Sequence, residues 1–148
     1  MEKTYLLSRT VLGVAILACS ANALFAEPCK EMVYRHENQI DPKPIELRQV
    51  QGTALDPNRT VMPQLCVGIF TEPEHKLLRY AQTDDDGVFA EDIHGLPNGE
   101  YRLVVEATGF CPANVIIRIK SHSRKKKLLV MHMNPRGLDT CSFVEPVK

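Results

Sequence analysis

The chain has 148 residues, of which 44% are hydrophobic, with 18 basic and 18 acidic side chains, five cysteines and no tryptophan. That is enough for one domain with its own core and too apolar for a disordered chain, and zero net charge excludes the basic surplus of a nucleic-acid-binding domain. Ten prolines and eight glycines favour many short elements over long helices.

The chain opens as an export signal. Lys3 and Arg9 form a basic start, residues 11–19 are apolar apart from Gly13, and Ala21-Asn22-Ala23 has the small-x-small pattern of a cleavage site. Cleavage is expected after Ala23, or after Ala26, where Leu24 makes the poorer match. A membrane span needs about 20 apolar residues, and Ser20 and Asn22 interrupt this run. Ile16-Leu17-Ala18-Cys19 offers an alternative: it resembles a bacterial lipoprotein box with Cys19 as the lipidated residue. Removing residues 1–26 leaves Cys29, Cys66, Cys111 and Cys141. An even count in an exported protein predicts a disulfide framework, with all three connectivities open. No Cys-x-x-Cys or paired-His spacing suits zinc, and no metal or cofactor is expected.

Residues 27–44 form a polar N-terminal extension, where 29–40 is the one stretch compatible with a helix. From residue 45 onward, short apolar runs alternate with turns. A first strand is predicted over 45–55, with Val50, Gly52 and Ala54 on one face and a turn at Asp56-Pro57-Asn58. In the second, Leu65, Val67 and Ile69 alternate against Cys66 and Gly68. Residues 77–83 and 88–93 give the third and fourth. Tyr101, Leu103, Val105 and Ala107 mark a fifth, with Arg102 and Glu106 facing the other way. Val115, Ile117 and Ile119 mark the sixth; Leu129, Met131 and Met133 mark the seventh, ended by Pro135. Together they predict an all-β, seven-stranded antiparallel Greek-key β-sandwich over 45–135, followed by a tail, 136–148.

Five stretches, in order, resemble carboxypeptidase regulatory-like domains, a transthyretin-like (prealbumin-like) group. Residues 50–56 (Val-Gln-Gly-Thr-Ala-Leu-Asp) resemble the opening strand, and Met62-Pro63-Gln64-Leu65-Cys66-Val67 the start of the second, with Gln64 in place of the usual Gly. Thr83-Asp84-Asp85-Asp86-Gly87-Val88-Phe89 is similar to the family's Thr-Asp-x-x-Gly-x-Phe hairpin. Leu96-Pro97-Asn98-Gly99-Glu100-Tyr101 matches its Leu-Pro-x-Gly-x-Tyr element, and Ala107-Thr108-Gly109-Phe110 the end of that strand. The physics of these motifs is structural. Asp84 can accept backbone N–H groups, Gly87 can take a positive φ, Phe89 enters the core, Gly99 opens a strand, and Tyr101 buries its ring while its hydroxyl finds a backbone partner. By resemblance, such domains serve as non-catalytic binding, folding or accessory modules.

Several features invite a functional reading. Asp84-Asp85-Asp86 suggests calcium, but Gly87 follows at once and Glu91 lies on a predicted strand, so a turn is preferred. Arg124, Lys125, Lys126 and Lys127 form a basic loop that could meet an anionic surface; the plainer reading is a solvated loop guarding a sheet edge. No aromatic residue is interleaved, so nucleic-acid stacking is unsupported. His36, His75, His94, His122 and His132 are dispersed. His132 between Met131 and Met133 suggests copper, but strand alternation separates it from both. Asn58-Arg59-Thr60 is a glycosylation sequon. Related enzymes set stricter tests. Transthyretin-like hydroxyisourate hydrolases end in Tyr-Arg-Gly-Ser, whereas this chain ends Phe143-Val144-Glu145-Pro146-Val147-Lys148. The close His pair of intradiol dioxygenases and the Gly-x-Ser-x-Gly elbow are also missing. The expectation is therefore an exported, non-catalytic module of the periplasm or cell surface with a protein or polysaccharide ligand, no nucleic acid, and membrane contact only through a lipidated Cys19. The alternatives are a lipid-anchored envelope protein and a hydrolase on a transthyretin-like fold, testable at His94 and His132.

Overall fold

The structure is a computed structural model that describes residues 28–35, 43–120 and 127–147. The export signal, Cys19, His36, His122, Arg124, Lys125 and Lys126 lie outside the described residues. Nine strands are present among them: β1 (Ile45–Leu47), β2 (Val50–Leu55), β3 (Cys66–Thr71), β4 (Leu77–Gln82), β5 (Val88–Glu91), β6 (Gly99–Glu106), β7 (Ala113–Ile119), β8 (Leu129–His132) and β9 (Phe143–Pro146). No helix occurs among the described residues; of the 29–40 stretch, the described part is a turn followed by chain without regular structure.

The strands form a five-stranded sheet, β1-β7-β6-β3-β4, and a four-stranded sheet, β5-β2-β8-β9. The all-β sandwich stands as expected, but two particulars are corrected. The strand predicted over 45–55 is two strands, because the chain crosses from one sheet to the other at Arg48-Gln49. Its halves lie parallel to strands far along the chain, β1 beside β7 and β2 beside β8, so both sheets are mixed and not antiparallel. The tail is not free either: it supplies β9, antiparallel to β8. Only Val144 of that strand turns inward, and one buried apolar residue is too short a signal for a period-two reading.

Between the sheets, Val50 and Ala54 meet Val67, Ile69, Leu103, Val105, Val115, Ile117, Leu129 and Met131 in one core. Burying each large apolar side chain is worth about 1.5–3 kcal/mol. The hairpin before β5 is built on Asp84, whose Oδ1 accepts the N–H groups of Asp86 and Val88 at 3.0 and 2.8 Å. Gly87 takes a φ of 69°, a value costly for residues with a β-carbon. Phe89 then enters the core.

A second, smaller core lies on the outer face of the five-stranded sheet. Residues 28–35 cross that face as a strap, and Cys29 and Met32 cover Phe70 and Val104. Arg102, expected to face solvent, is therefore only 4% exposed. It donates to Glu72 and, at 3.0 Å, to Asn114 Oδ1, and its guanidinium lies 5.3 Å from the centre of the Tyr34 ring. Of the three connectivities, the structure brings two pairs to disulfide distance: Cys29 with Cys66 and Cys111 with Cys141, at Cα separations of 5.2 and 5.5 Å.

Candidate active site in an end cleft

Three segments converge at one end of the sandwich: the β1–β2 corner, the chain from the end of β5 to the start of β6, and the end of β7. They enclose a cleft of about 720 Å³ whose floor includes Ile93, Leu96 and Ile119 and whose rim carries Arg48, Glu91 and His94. The loop holds its shape through local bonds. The Asp92 carboxylate accepts the His94 N–H at 2.8 Å, the Leu96 N–H bonds to Ile93 O at 3.1 Å, and the Tyr101 hydroxyl donates to Pro97 O at 2.8 Å. Burial raises the Tyr101 hydroxyl above its ordinary value of 10.0, so it stays protonated as that donor.

Glu91 is the chemically distinctive group. It is half-buried at the end of β5, and its carboxyl makes no hydrogen bond or ion pair among the described residues. Burial raises its pKa above 4.5, with Arg79 opposing the shift and Asp92 adding to it. A partly desolvated carboxyl on a cleft wall is the kind of group that accepts and returns protons. The cations nearby differ in commitment. Lys120 Nζ lies 2.7 Å from Glu46, and Arg118 is paired with Glu100. Arg48 has no partner among the described residues. The apolar floor and the rim charges suit a small, polar-edged molecule.

A second titratable group sits on the outer face of the four-stranded sheet. His132 Nε2 is 3.0 Å from Glu145 Oε1, and the imidazole stacks on Phe143 with ring centres 4.5 Å apart. Met131 and Met133 point inward and are fully buried, so the three residues weighed for copper are split between two faces. Glu145 escaped the sequence reading because β9 did. Glu91 escaped it because a lone acid on a strand carries no motif; its meaning comes from the loops that close around it. Of the other expected residues, His94 reaches the cleft and Asp84 is engaged in its turn. Lys127 is half-buried beside β8, and the His75 ring lies tilted against Tyr34 with centres 4.2 Å apart. Among the described residues no group of three or more His, Cys, Asp or Glu is placed to hold a metal, and no helix is long and apolar enough to cross a membrane.

No family model and no curated protein matches the chain. Among solved structures it is similar to the 5-hydroxyisourate hydrolase of Klebsiella pneumoniae, with a TM-score of 0.51 and 19% identity, covering 68% of this chain and 99% of that one. The likeness shows the fold, a transthyretin-like β-sandwich. It also corrects the expectation of a non-catalytic module. A solved structure with this architecture is an enzyme, so the sandwich is no argument against catalysis, and motif searches along the chain cannot see a cleft built from three separated segments.

Proposed function

We propose that the chain is a hydrolase acting on a small carbonyl compound bound in the end cleft. The observation that carries this reading is Glu91, a half-buried carboxyl of raised pKa lining a 720 Å³ cleft. In this mechanism the Glu91 carboxylate takes a proton from a water molecule as the water attacks the carbonyl carbon. Arg48 offsets the negative charge that develops on the oxygen, His94 donates a proton to the leaving group as its bond to the carbonyl carbon breaks, and the water-derived proton on Glu91 passes to solvent, from which His94 regains its own. The hydrolase with the similar fold supports the reaction class. Its substrate is not carried over, because at 19% identity the likeness extends to the fold alone.

The paired cysteines support folding in an oxidising compartment, with residues 1–26 as the export signal. The ordered motifs of residues 50–110 favour the carboxypeptidase regulatory-like branch of the fold. A second reading, favoured by the 3.0 Å contact of His132 with Glu145, places the general base on the open sheet face, with the imidazole oriented by the carboxylate.

The test is a panel of esters, lactones, amides and cyclic amides, followed by variants. Under the first reading Glu91→Gln lowers turnover by about 100-fold or more while His132→Ala leaves it intact. The reverse result moves the chemistry to His132, and a wild-type chain inactive on every class in the panel overturns both.

A further inference from the structure

The strap over the second core is fastened in an unusual way. Residues 28–35 add no strand to either sheet, and the backbone bond from Met32 N–H to Cys29 O, at 3.3 Å, is local. What fixes the strap is side-chain contact and a tether. Cys29 and Met32 are 2% and 8% exposed, over Phe70 and Val104. The Tyr34 ring lies against His75 and Phe70. The tether is the Cys29–Cys66 pair, which closes a stretch of 37 residues.

Beside the strap runs a groove of about 300 Å³, lined among others by Glu31, Met32, Arg35, Cys66, Glu106 and Arg136. Cys66 is half-buried and faces this groove, whereas Cys29 is buried and does not line it. The other pair also has one half-buried member, Cys141, beside the buried Cys111, but it is placed differently. Cys111 and Cys141 line neither cleft. The backbone around them is tied by Cys111 N–H to Asn134 O at 2.9 Å, Asn134 N–H to Ser142 Oγ at 2.7 Å, and the Ser142 hydroxyl to Cys111 O. Opening that pair leaves its hydrogen-bonded frame in place.

We propose that Cys29–Cys66 is a thiol-exchange site whose opening by a dithiol partner releases residues 28–35 from the sheet. A thiolate of the partner enters the groove and attacks Cys66 Sγ, forming a mixed disulfide as the S–S bond breaks and Cys29 leaves as a thiolate. The partner's second thiol then attacks its own sulfur in the mixed disulfide and expels the Cys66 thiolate. The partner is oxidised to a disulfide by two electrons, and Cys29 and Cys66 take up the two protons. Arg35 and Arg136 line the groove together with Glu31 and Glu106, so the approach of the thiolate is governed by access to Cys66 and not by a net charge. Once the loop is open, the strap regains chain freedom that its side-chain contacts, those of Met32 and Tyr34 among them, must oppose without the tether. Its departure bares Phe70 and Val104, an apolar patch at the centre of the outer face.

Dithiothreitol serves as the dithiol probe on the full oxidised chain, with alkylation and peptide mapping at each concentration. Cys29 and Cys66 are expected to be alkylated at concentrations roughly tenfold below those needed for Cys111 and Cys141. In that half-reduced species trypsin should cleave after Lys30 and Arg35 roughly tenfold faster than in the oxidised chain. Simultaneous or inverted opening of the two pairs overturns the exchange site, and unchanged cleavage at Lys30 and Arg35 overturns the release. The Cys29→Ser/Cys66→Ser variant repeats the proteolysis without reductant; if it does not fold, the half-reduced wild-type chain decides alone.

Discussion

The Met32 sulfur occupies the space above Gly68: a β-carbon built on that glycine would stand 3.1 Å from the sulfur and 2.7 Å from Cε2 of Phe70. The strap and the sheet thus approach as closely as they do because β3 presents no side chain there. Gly68→Ala forces the Phe70 ring or the strap to move, and overpacking of this kind costs about 1–3 kcal/mol. Urea unfolding should show the loss, and trypsin cleavage after Lys30 and Arg35 should quicken with it. A variant as stable as wild type would mean that the strap yields without cost.

Arg102 poses a sharper test of the same region. Its guanidinium is almost wholly buried, and Glu72 supplies the compensating charge. Removing one partner of a buried pair costs about 3–5 kcal/mol because the other charge is left uncompensated, whereas an apolar replacement of similar volume is often close to neutral. Glu72→Ala is therefore expected to destabilise the chain more than Arg102→Met does, read as the difference between their urea midpoints. The opposite order would show that Asn114 and Tyr34, and not Glu72, hold the guanidinium.

The residues that alternate between one core and solvent were legible in the chain. Val50 and Ala54, Leu103 and Val105, and Val115 and Ile117 face the core as their spacing predicts, and the turn at Asp84 and Gly87 has the chemistry its residues imply. What failed to show has a common cause, namely dependence on a distant segment. Arg102 reads as a solvent-facing residue until residues 28–35 cover it. Arg48-Gln49 reads as mid-strand until β1 and β2 find partners in different sheets. Glu91 became a candidate only through the loops that partly shield it from water.

Thr83 tests whether the hairpin motif is held by its hydroxyl. The Leu65 N–H donates to Thr83 Oγ1 at 2.9 Å, and that hydroxyl donates onward to Met62 O at 2.9 Å, stitching the start of β3 to the end of β4. Thr83→Val keeps the shape and leaves a buried N–H unsatisfied, a loss of about 1–3 kcal/mol. Thr83→Ser, which keeps the hydroxyl, should retain most of the stability. Equal losses in the two variants would assign the effect to packing of the methyl group instead.

Glu91 separates folding from catalysis through pH. Burial raises its folded-state pKa above 4.5, so the folded chain holds this proton more tightly than the unfolded chain does. The stability linked to that proton is fully present below pH 4.5 and is lost as pH rises through the raised folded value, above which an ionised carboxylate sits partly desolvated. Glu91→Gln removes this loss. At about pH 7 the variant should be as stable as wild type or more so, and the difference should shrink toward about pH 4. Activity runs the other way: a general base must be ionised, so kcat/KM of the wild-type chain should fall on the acid side with a midpoint above 4.5. Urea titrations at both pH values and the kcat/KM profile check the two halves separately. A Glu91→Gln variant that unfolds more easily at neutral pH would give this carboxylate a structural role, and one that keeps its activity would remove Glu91 from the mechanism.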